Sequence, residues 1–449
     1  MEENLFYTSS STVNQLSTGS GTGIADFVIT QVDLHSGAPI SSFKQSSSSV
    51  NGLQVTDDHI FASQSEKTLL HIYAHNKEGV EQKIVLPEKL SCIKVSPKGN
   101  WLAGGGHTGR LLVWEIKSGN LLFARDTHYQ KITCIEFTQD ESHIVTASSD
   151  SRVHVWNLVD LVDLISDMSE VRPVVTWSDH TLEVTGLYVG YGKSRDCRIF
   201  TASADSTVRS YDLRTKSLLT TYSLPEPISA LTVDSLERVI YAGSITGTIH
   251  MVSLYEVNSY SGHLEALGGA QRIISVSADS DTSLRQHETC VTCMRLSMDS
   301  NVLVSGDASG NILSWDVLTK QVLRKFRPHK GAITGISMKS NLKQLSDSKK
   351  QVPHIPVLKR IVERQLAVQH DVYTQIHHIE DTSSANFLDS NKDLDLLRMQ
   401  SAQLLGDSND SLQLRVNKLE GELETMHKNY LTLKSVHEDL WKVHVARAS

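Results

Sequence analysis

Short runs of hydrophobic and β-branched residues, separated by polar turns, recur along most of the chain. The clearest set predicts three strands, Ile132–Phe137, His143–Ala147 and Arg152–Trp156. Each run is rich in Val, Ile and Thr, and polar turn residues bound it, such as Gln139–Ser142 and Asp150–Ser151. This stretch therefore predicts a three-stranded repeat unit.

The third strand of that unit occurs six times in all, which makes the repeat the main organising feature of the sequence. Most of the six follow a tight two-residue turn such as Asp150-Ser151 or Thr246-Gly247, and glycine at the second position suits the positive φ of these hairpins. The six third strands are predicted at Leu70–Tyr73, Leu111–Ile116, Val153–Leu158, Val208–Leu213, Ile249–Leu254 and Ile312–Val317.

A seventh repeat begins with Ile333–Ser337 and then loses the pattern, although Pro353–Leu358 is a candidate for one more strand. Two further strands are predicted near the N-terminus, around residues 5–8 and 27–43. We expect them to complete the last repeat, because joining the chain ends leaves no open sheet edge. The predicted fold is an all-β, seven-bladed β-propeller spanning residues 1–365 and closed by its N-terminal strands.

Two insertions interrupt the repeats. Val159–Thr176 begins with hydrophobic residues at helical spacing, which predicts a short helix. Glu256–Gln286 contains Gly-Gly and several serines, and is expected to form a protruding loop.

The tail has a different pattern. Residues 366–410 are expected to be a linker with a marginal helix, and residues 411–445 a C-terminal α-helical coiled coil. Nine residues at alternating spacings of four and three form its hydrophobic seam, and we expect it to bring two copies of the chain together, with packing of the helix back on the propeller as the alternative. The seam residues are Leu412, Val416, Leu419, Leu423, Met426, Tyr430, Leu433, His437 and Leu440.

Composition narrows the class of protein. Hydrophobic residues make up 39% of the 449 residues and the net charge is −8. No run approaches the ~18 apolar residues of a membrane span, and the N-terminus lacks the features of a signal peptide. Five cysteines, an odd number in a long chain, argue against a disulfide framework and for a reducing compartment.

The acidic balance argues against broad nucleic-acid binding, but one segment is locally basic. It could contact RNA or an acidic partner, while a solvated loop is the ordinary alternative, and direct RNA contact stays open. The candidate contact residues are Lys349, Lys350, Lys359, Arg360 and Arg364.

Two sets of four side chains occupy matching places in successive repeats: His128, Ser148, Asp150 and Trp156, then His180, Ser203, Asp205 and Tyr211. Both sets resemble the signature of WD repeats, with Tyr in place of Trp in the second. The resemblance implies that each set forms a hydrogen-bonded network within its blade. His287 and His329 are similarly placed, but Ser309 stands where the motif has Asp, so complete networks are expected in two blades.

The segments Ser118–Leu122, His128–Ile132, Ser149–Val162 and Asp179–Thr185 resemble more specifically the WD-repeat subunits of the Rix/PELP ribosome-assembly complex. That resemblance implies a nuclear scaffold with Rix-like and Tex-like partners and a midasin-type ATPase. It also implies a role in maturing the large-subunit pre-ribosome, including removal of the second internal transcribed spacer.

Other motifs point to chemistry more weakly. Cys290 and Cys293 form a single Cys-x-x-Cys, whereas a zinc site would want a second pair. His180, Asp205 and Ser203 could be taken for a hydrolytic triad, but no oxyanion-stabilising loop accompanies them. We therefore expect no enzyme activity, metal or cofactor. Tyr211–Arg214 loosely resembles the box of cullin-type ubiquitin-ligase substrate receptors, which leaves that function and a generic cytoplasmic adaptor as alternatives.

Overall fold

The computed structural model describes the propeller and very little of the tail. The described residues are 3–10, 28–65, 67–163, 171–194, 196–257, 263–269, 271–276, 283–329, 331–340, 355–362, 427–428 and 434. The chain divides into two units, Met1–Ile376 and His377–Ser449. No helix among the described residues is long and apolar enough to cross a membrane.

Seven four-stranded antiparallel blades form the first unit, which confirms the predicted propeller. Each blade has the fourth, outermost strand that the three-strand repeat did not include. The strands of blades 1 to 3 are β4 (Ser48–Val55), β5 (His59–Gln64), β6 (Leu69–Ala74) and β7 (Gln82–Val85); β8 (Leu90–Val95), β9 (Trp101–Gly106), β10 (Arg110–Glu115) and β11 (Leu121–Asp126); β12 (Ile132–Phe137), β13 (His143–Ser148), β14 (Val153–Asn157) and β15 (Val175–Trp177).

Blades 4 to 6 continue the same order. Their strands are β16 (Val184–Val189), β17 (Arg198–Ser203), β18 (Thr207–Asp212) and β19 (Ser217–Ser223); β20 (Ile228–Val233), β21 (Val239–Ser244), β22 (Thr248–Ser253) and β26 (Ser283–Arg285); β27 (Val291–Leu296), β28 (Val302–Asp307), β29 (Ile312–Asp316) and β30 (Val322–Lys325). We call the first strand of each blade its inner strand, because these strands line the central channel.

Blade 7 is built from both ends of the propeller chain. Its inner strand is β31 (Ile333–Ser340), and the N-terminus supplies β1 (Glu3–Ser9), β2 (Val28–Asp33) and β3 (Pro39–Lys44). β1 pairs antiparallel with β31 from Glu3↔Ser340 onwards, and β31 packs against β4 of blade 1. The expected closure by the N-terminal strands is therefore confirmed.

Hydrophobic side chains form seven buried clusters, one at each junction between neighbouring blades. The alternation of apolar residues along each strand produces this arrangement, because both faces of a blade pack against a neighbour. Trp114 of blade 2 and Tyr211 of blade 4, for example, are fully buried in two of these clusters.

A ring of hydroxyl side chains ties the inner strands together. Five inner strands carry a β-bulge at their second residue, and that residue is Ser or Thr in every case. Each hydroxyl donates to the carbonyl of the first residue of the next inner strand. The five bonds are Ser91 Oγ to Ile132 (2.5 Å), Thr133 Oγ1 to Val184 (2.6 Å), Thr185 Oγ1 to Ile228 (2.8 Å), Ser229 Oγ to Val291 (2.6 Å) and Thr292 Oγ1 to Ile333 (2.6 Å).

Blade 1 departs from this pattern with a larger bulge in β4. Ser48 pairs with Gln64 and Leu53 with Ala62, so several residues loop out of the ladder. Within the bulge, Asn51 takes a positive φ of 58° and its Nδ2 donates to the Thr133 carbonyl of blade 3, 3.3 Å away. The bulge thus reaches into the channel beyond the neighbouring blade.

The insertions differ in how well they were predicted. The first does open with a helix, α1 (Leu158–Val162), capped by Asn157. The second is more ordered than the expected loop, since it contains a hairpin of β23 (Tyr255–Val257) and β24 (Leu264–Ala266), then β25 (Arg272–Ser275). β25 adds a fifth, parallel strand to the edge of blade 4, which gives the insertion a backbone partner that hydrophobic alternation does not reveal.

The strand predicted at Pro353–Leu358 is wrong for residues 355–358, and Pro353 and His354 lie outside the described residues. Residues 355–362 are described and have no regular secondary structure. We call them the C-terminal arm, and its Ile355 and Leu358 are buried with the side chains of blades 1 and 2. The arm is held by isolated hydrogen bonds and by its buried apolar side chains. Those apolar residues are the reason that the sequence resembles a strand.

The coiled coil receives no support from the structure. The nine seam residues, Leu412, Val416, Leu419, Leu423, Met426, Tyr430, Leu433, His437 and Leu440, lie outside the described residues, as does the linker 366–410. Of residues 411–445 the structure describes His427, Lys428 and Lys434, which are helical and exposed. The coil stays a prediction.

Candidate interaction surfaces

The propeller presents two faces that differ in the loops they carry. The top face carries the connections from the outermost strand of one blade to the inner strand of the next, together with the turns between second and third strands. The bottom face carries the remaining turns. The polar networks described next lie at the top face and determine how rigid it is.

Blade 3 contains a buried network centred on His128. Its Nδ1 lies 3.1 Å from Asp150 Oδ2, and its Nε2 lies 2.9 Å from Thr146 Oγ1. Trp156 Nε1 donates to the same Thr146 oxygen over 3.1 Å. Thr146, which the motif reading left out, is therefore the residue that joins histidine to tryptophan.

Ser148 has a different role from the one expected. Its Oγ donates to the Lys131 carbonyl (2.9 Å) and accepts from the backbone N–H of Asp150 (3.2 Å). It fixes the turn that presents the aspartate, but it hydrogen-bonds to neither the His128 ring nor the Trp156 indole. The physical reason is the strand period: Thr146 is two residues earlier on β13, on the same side as Ser148 but one step deeper in the blade.

Blade 4 repeats the arrangement with one change. His180 lies 3.0 Å from Asp205 Oδ2 and 2.7 Å from Thr201 Oγ1. Tyr211 does not join this network; its hydroxyl donates to Asp179 Oδ2 over 3.0 Å.

Ser203, which completed the triad-like set, donates to the Leu182 carbonyl (3.2 Å) and accepts from the Asp205 backbone N–H (3.1 Å). Since the ring nitrogens of His180 go to Asp205 and Thr201, Ser203 is not placed as a nucleophile beside a base. Its contacts are those of a turn-forming residue.

Blade 6 contains a further network, which the sequence reasoning missed and which includes its tryptophan as in blade 3. His287 lies 3.0 Å from Asp307 Oδ2 and 2.6 Å from Ser305 Oγ, and Trp315 Nε1 donates to Ser305 over 2.8 Å. The motif places the aspartate at position 309, which is Ser309, but the aspartate of this network is Asp307, two residues earlier. The sequence did contain one indication of this network, because His287 stands four residues before the inner strand, as His128 does in blade 3.

Blades 2 and 5 lack an aspartate in the turn and take a carboxylate from the preceding top-face loop instead. Glu226 accepts from Thr246 and from Thr248 Oγ1 (2.6 Å), and lies 3.7 Å from His250 Nε2. In blade 2, Thr108 donates to Glu88 over 2.9 Å. The same end of the blade is thus stabilised by a different residue.

These networks hold their carboxylates ionised. Burial acts to raise the pKa of Asp150, but the hydrogen bond from His128 and the backbone N–H groups of Arg152 and Tyr129 outweigh it and hold the pKa at about 2. The pKa values of Asp205 and Asp307 are also lowered, because the hydrogen bonds to each carboxylate outweigh the effect of burial. An ionised carboxylate that accepts several hydrogen bonds serves as a structural anchor.

The loops of the bottom face are joined to one another around the disc. At six of the seven junctions a polar contact links a loop, or the end of an inner strand, to the neighbouring blade. The contacts are Lys98 N to Glu141 Oε1 (2.8 Å), Ser194 N to Asp140 Oδ2 (2.9 Å), Arg198 Nη1 to Glu237 Oε2 (3.5 Å), Ser235 Oγ to Ser300 Oγ (3.2 Å), Met298 N to Glu3 Oε1 (3.1 Å) and Lys339 Nζ to Asp57 Oδ1 (3.3 Å).

Three large hydrophobic side chains are exposed on these linked loops. Tyr191, Leu236 and Met298 belong to blades 4, 5 and 6 and are 59%, 68% and 59% exposed. They lie on consecutive blades joined by the Arg198–Glu237 ion pair and the Ser235–Ser300 hydrogen bond, and we call the three residues the hydrophobic arc. Clustered exposed apolar residues of this kind mark interaction surfaces.

The predicted basic patch is divided by the structure. Lys349, Lys350 and Arg364 lie outside the described residues, whereas Lys359 and Arg360 belong to the C-terminal arm. The backbone N–H of Lys359 donates to the Gly119 carbonyl (2.8 Å), and Arg360 Nε donates to the Val85 carbonyl (2.9 Å).

The ligase-like segment lies on the bottom face in blade 4. Arg214 is exposed, and Asp212 accepts from the Arg214 backbone N–H (3.1 Å) and from Thr215 Oγ1 (2.8 Å). Asp212 therefore shapes its own turn. All five cysteines are free thiols, Cys290 and Cys293 included.

Comparison with known proteins assigns the chain to a family. The model "WD domain, G-beta repeat" matches residues 81–115, 119–157 and 278–316. The pre-rRNA-processing protein IPI3 of Yarrowia lipolytica is 36% identical over 426 residues, covering 92% of this chain and 96% of that protein.

Two other relatives agree with this match. IPI3 of Candida albicans is 31% identical and covers 92% of this chain and 93% of its own length. Human WD repeat-containing protein 18 is 28% identical over 409 residues, which is 88% of this chain and 90% of that protein. The chain therefore belongs to the family of WD-repeat pre-rRNA-processing proteins that includes IPI3.

Proposed function

We propose that the protein is a non-enzymatic scaffold subunit of a nuclear complex that matures the large ribosomal subunit. The observation that carries this proposal is the similarity to pre-rRNA-processing proteins along nearly the whole chain. A propeller whose top face is stabilised by buried networks and whose bottom face is linked at six of its seven blade junctions offers rigid surfaces for protein partners.

The resemblance to Rix/PELP subunits supplies the finer part of the proposal. The protein acts in processing of the second internal transcribed spacer, within a complex that contains Rix-like and Tex-like subunits. It meets the large-subunit pre-ribosome together with a midasin-type ATPase, in the nucleolus and nucleoplasm. The hydrophobic arc of Tyr191, Leu236 and Met298 is the surface of the disc best suited to bind such a subunit, because its loops are already ordered.

Affinity purification of the tagged full-length protein tests this function. The expected result is co-purification of large-subunit precursors with Rix-like and Tex-like proteins. Recovery of a cullin and its adaptor, lost in Arg214→Ala, would establish the ubiquitin-ligase alternative instead. A cytoplasmic protein without pre-ribosomal partners would establish the generic adaptor.

Self-association through the predicted coil is the second part of the proposal. Leu419→Asp with Leu433→Asp puts two carboxylates into the seam, and is expected to halve the mass measured by light scattering. Lys428→Asp with Lys434→Asp is the matched control, since both lysines are exposed and lie off the seam. An unchanged mass in the seam variant would refute association through this helix.

A further inference from the structure

A cavity of about 570 Å³ opens at the centre of the top face, where the inner strands begin. Its volume lies within the range of about 300–1,000 Å³ that small-molecule sites occupy. The lining residues are mostly hydroxylic or basic, and they come from several blades. They include Ser10, Ser48, Ser49, Ser65, Ser91, Thr292 and Thr334, with Lys89, His107 and Lys131.

Positive charge is concentrated on one side of this cavity. Lys89 and Lys131 stand at equivalent positions in neighbouring blades, each directly before the inner strand, and His107 is the exposed third basic side chain. None of the residues that the structure gives as its lining carries a carboxylate, although the chain as a whole has a net charge of −8. A positive mouth on an acidic protein is a specific local feature.

Two neighbouring acids, Glu88 and Glu183, are bound by hydroxyl groups of top-face turns, and neither is among the lining residues that the structure gives. Glu183 occupies the position equivalent to Lys131 in the next blade, but its Oε2 accepts from Ser149 Oγ (3.3 Å) in the adjoining turn. Lys131, in contrast, is exposed and is one of the residues that line the cavity.

The floor of the cavity is narrow. The hydroxyl side chains that link neighbouring inner strands lie at this level of the channel. Asn51 also lies there and donates to the Thr133 carbonyl of blade 3. Below this level, the channel holds a space of about 70 Å³. A ligand must therefore enter from the top face and be compact.

We propose that this cavity binds a compact, multiply phosphorylated small molecule. Phosphate oxygens accept hydrogen bonds from ammonium and hydroxyl groups, and bonds to charged donors are the stronger kind. Two hydroxyl pairs at the mouth, Ser47–Ser65 (3.1 Å) and Ser49–Ser63 (2.8 Å), can turn a proton toward such a ligand, since either oxygen can be the donor. No aromatic ring is among the lining residues that the structure gives, so nucleic-acid bases have no stacking surface here.

Isothermal titration calorimetry of the full-length protein with inositol hexakisphosphate and with inorganic tripolyphosphate tests the site. Lys89→Gln with Lys131→Gln removes both ammonium groups, and Lys77→Gln with Lys193→Gln is the matched control at exposed lysines of bottom-face turns. We expect one ligand per chain, an affinity at least about tenfold lower in the first variant, no change in the control, and weaker binding at higher salt. Matching thermal melts of both variants show that the fold is intact.

Three results would overturn the proposal. One is the absence of binding heat from the unaltered protein at millimolar ligand, and another is an equal loss of affinity in both variants, which indicates diffuse charge attraction. The third is a single-stranded RNA oligomer that binds through Lys89 and Lys131 more tightly than either phosphate ligand, because the site would then be a nucleic-acid contact.

Discussion

The indole nitrogen of Trp114 donates a 2.8 Å hydrogen bond to the backbone carbonyl of Lys359. In blades 3 and 6 the equivalent tryptophan binds a hydroxyl on the second strand of its own blade, Thr146 or Ser305. Blade 2 has Gly104 at that position, which leaves the indole available. The missing hydroxyl in blade 2 is thus the reason that the C-terminal arm has a polar anchor there.

Trp114→Phe is expected to loosen the C-terminal arm. It removes the hydrogen bond to Lys359 and keeps most of the buried aromatic surface, so the arm opens more often and the free energy of its docking falls by about 1 kcal/mol. Trypsin should then cleave faster after Lys359 and Arg360. Trp315→Phe is the control, because it breaks a bond within blade 6 and leaves the arm alone; equal cleavage rates in both variants would contradict the idea.

Thr146→Val is expected to destabilise blade 3 far more than Ser148→Ala. The valine keeps the shape but leaves His128 Nε2 and Trp156 Nε1 buried without their partner, at a total cost of about 3 kcal/mol. Thr146→Ser restores the hydroxyl and should recover most of the loss. Urea unfolding midpoints measure the difference, and a larger effect from Ser148→Ala would mean that the turn matters more than the network.

The free energy of unfolding should fall as the pH drops from about 6.5 toward 4. Burial and then the nearby His128 lower the pKa of His154 to about 4, whereas an unfolded histidine titrates near 6.5. Because the folded pKa is the lower one, the stabilisation is complete above pH 6.5 and is lost as the pH approaches 4, by about 3 kcal/mol.

The buried His71 and His287 and the half-buried His143 have pKa values lowered in the same direction, so they add to this acid sensitivity. His154→Gln should flatten the slope of stability against pH in this range. The exposed His35→Gln is the control. If the slope of stability against pH in His154→Gln is as steep as in the unaltered protein, His154 is not the cause of the acid sensitivity.

Thr133→Val removes one bond of the hydroxyl ring and is expected to lower stability by about 1 kcal/mol. Thr292→Val does the same on a distant blade, so the two losses should add in the double variant. Thr133→Ser keeps the donor and serves as the control. Thermal midpoints that do not move in Thr133→Val would show that the 2.6 Å bond to Val184 has no net effect.

The period of the hydrophobic pattern made much of the fold predictable. The six third strands and the incomplete seventh repeat point to a ring, and the unpaired N-terminal strands are the obvious means of closing it. The parallel strand β25 and the C-terminal arm were not predictable this way, because neither belongs to the repeat and each depends on a partner distant in sequence.

The networks show where motif spacing falls short. The His128–Asp150 and His180–Asp205 pairs lie where the motif places them. Thr146 was missed because its role depends on depth within the blade, which the motif does not encode. Asp307 was missed because an aspartate two residues earlier can still reach His287 once the turn is folded.

The closure of blade 7 also determines when the propeller can complete its folding during synthesis of the chain. Thr8 and Thr334, whose hydroxyls meet at 2.9 Å, are 326 positions apart. Until Ile333–Ser340 has left the ribosome, β1 has no inner strand to pair with, and blades 1 and 6 each expose an apolar flank. Contacts between residues this distant in sequence form late in folding. A chain that ends before residue 333 is therefore an unclosed propeller with exposed apolar surface, which chaperones and proteases can recognise.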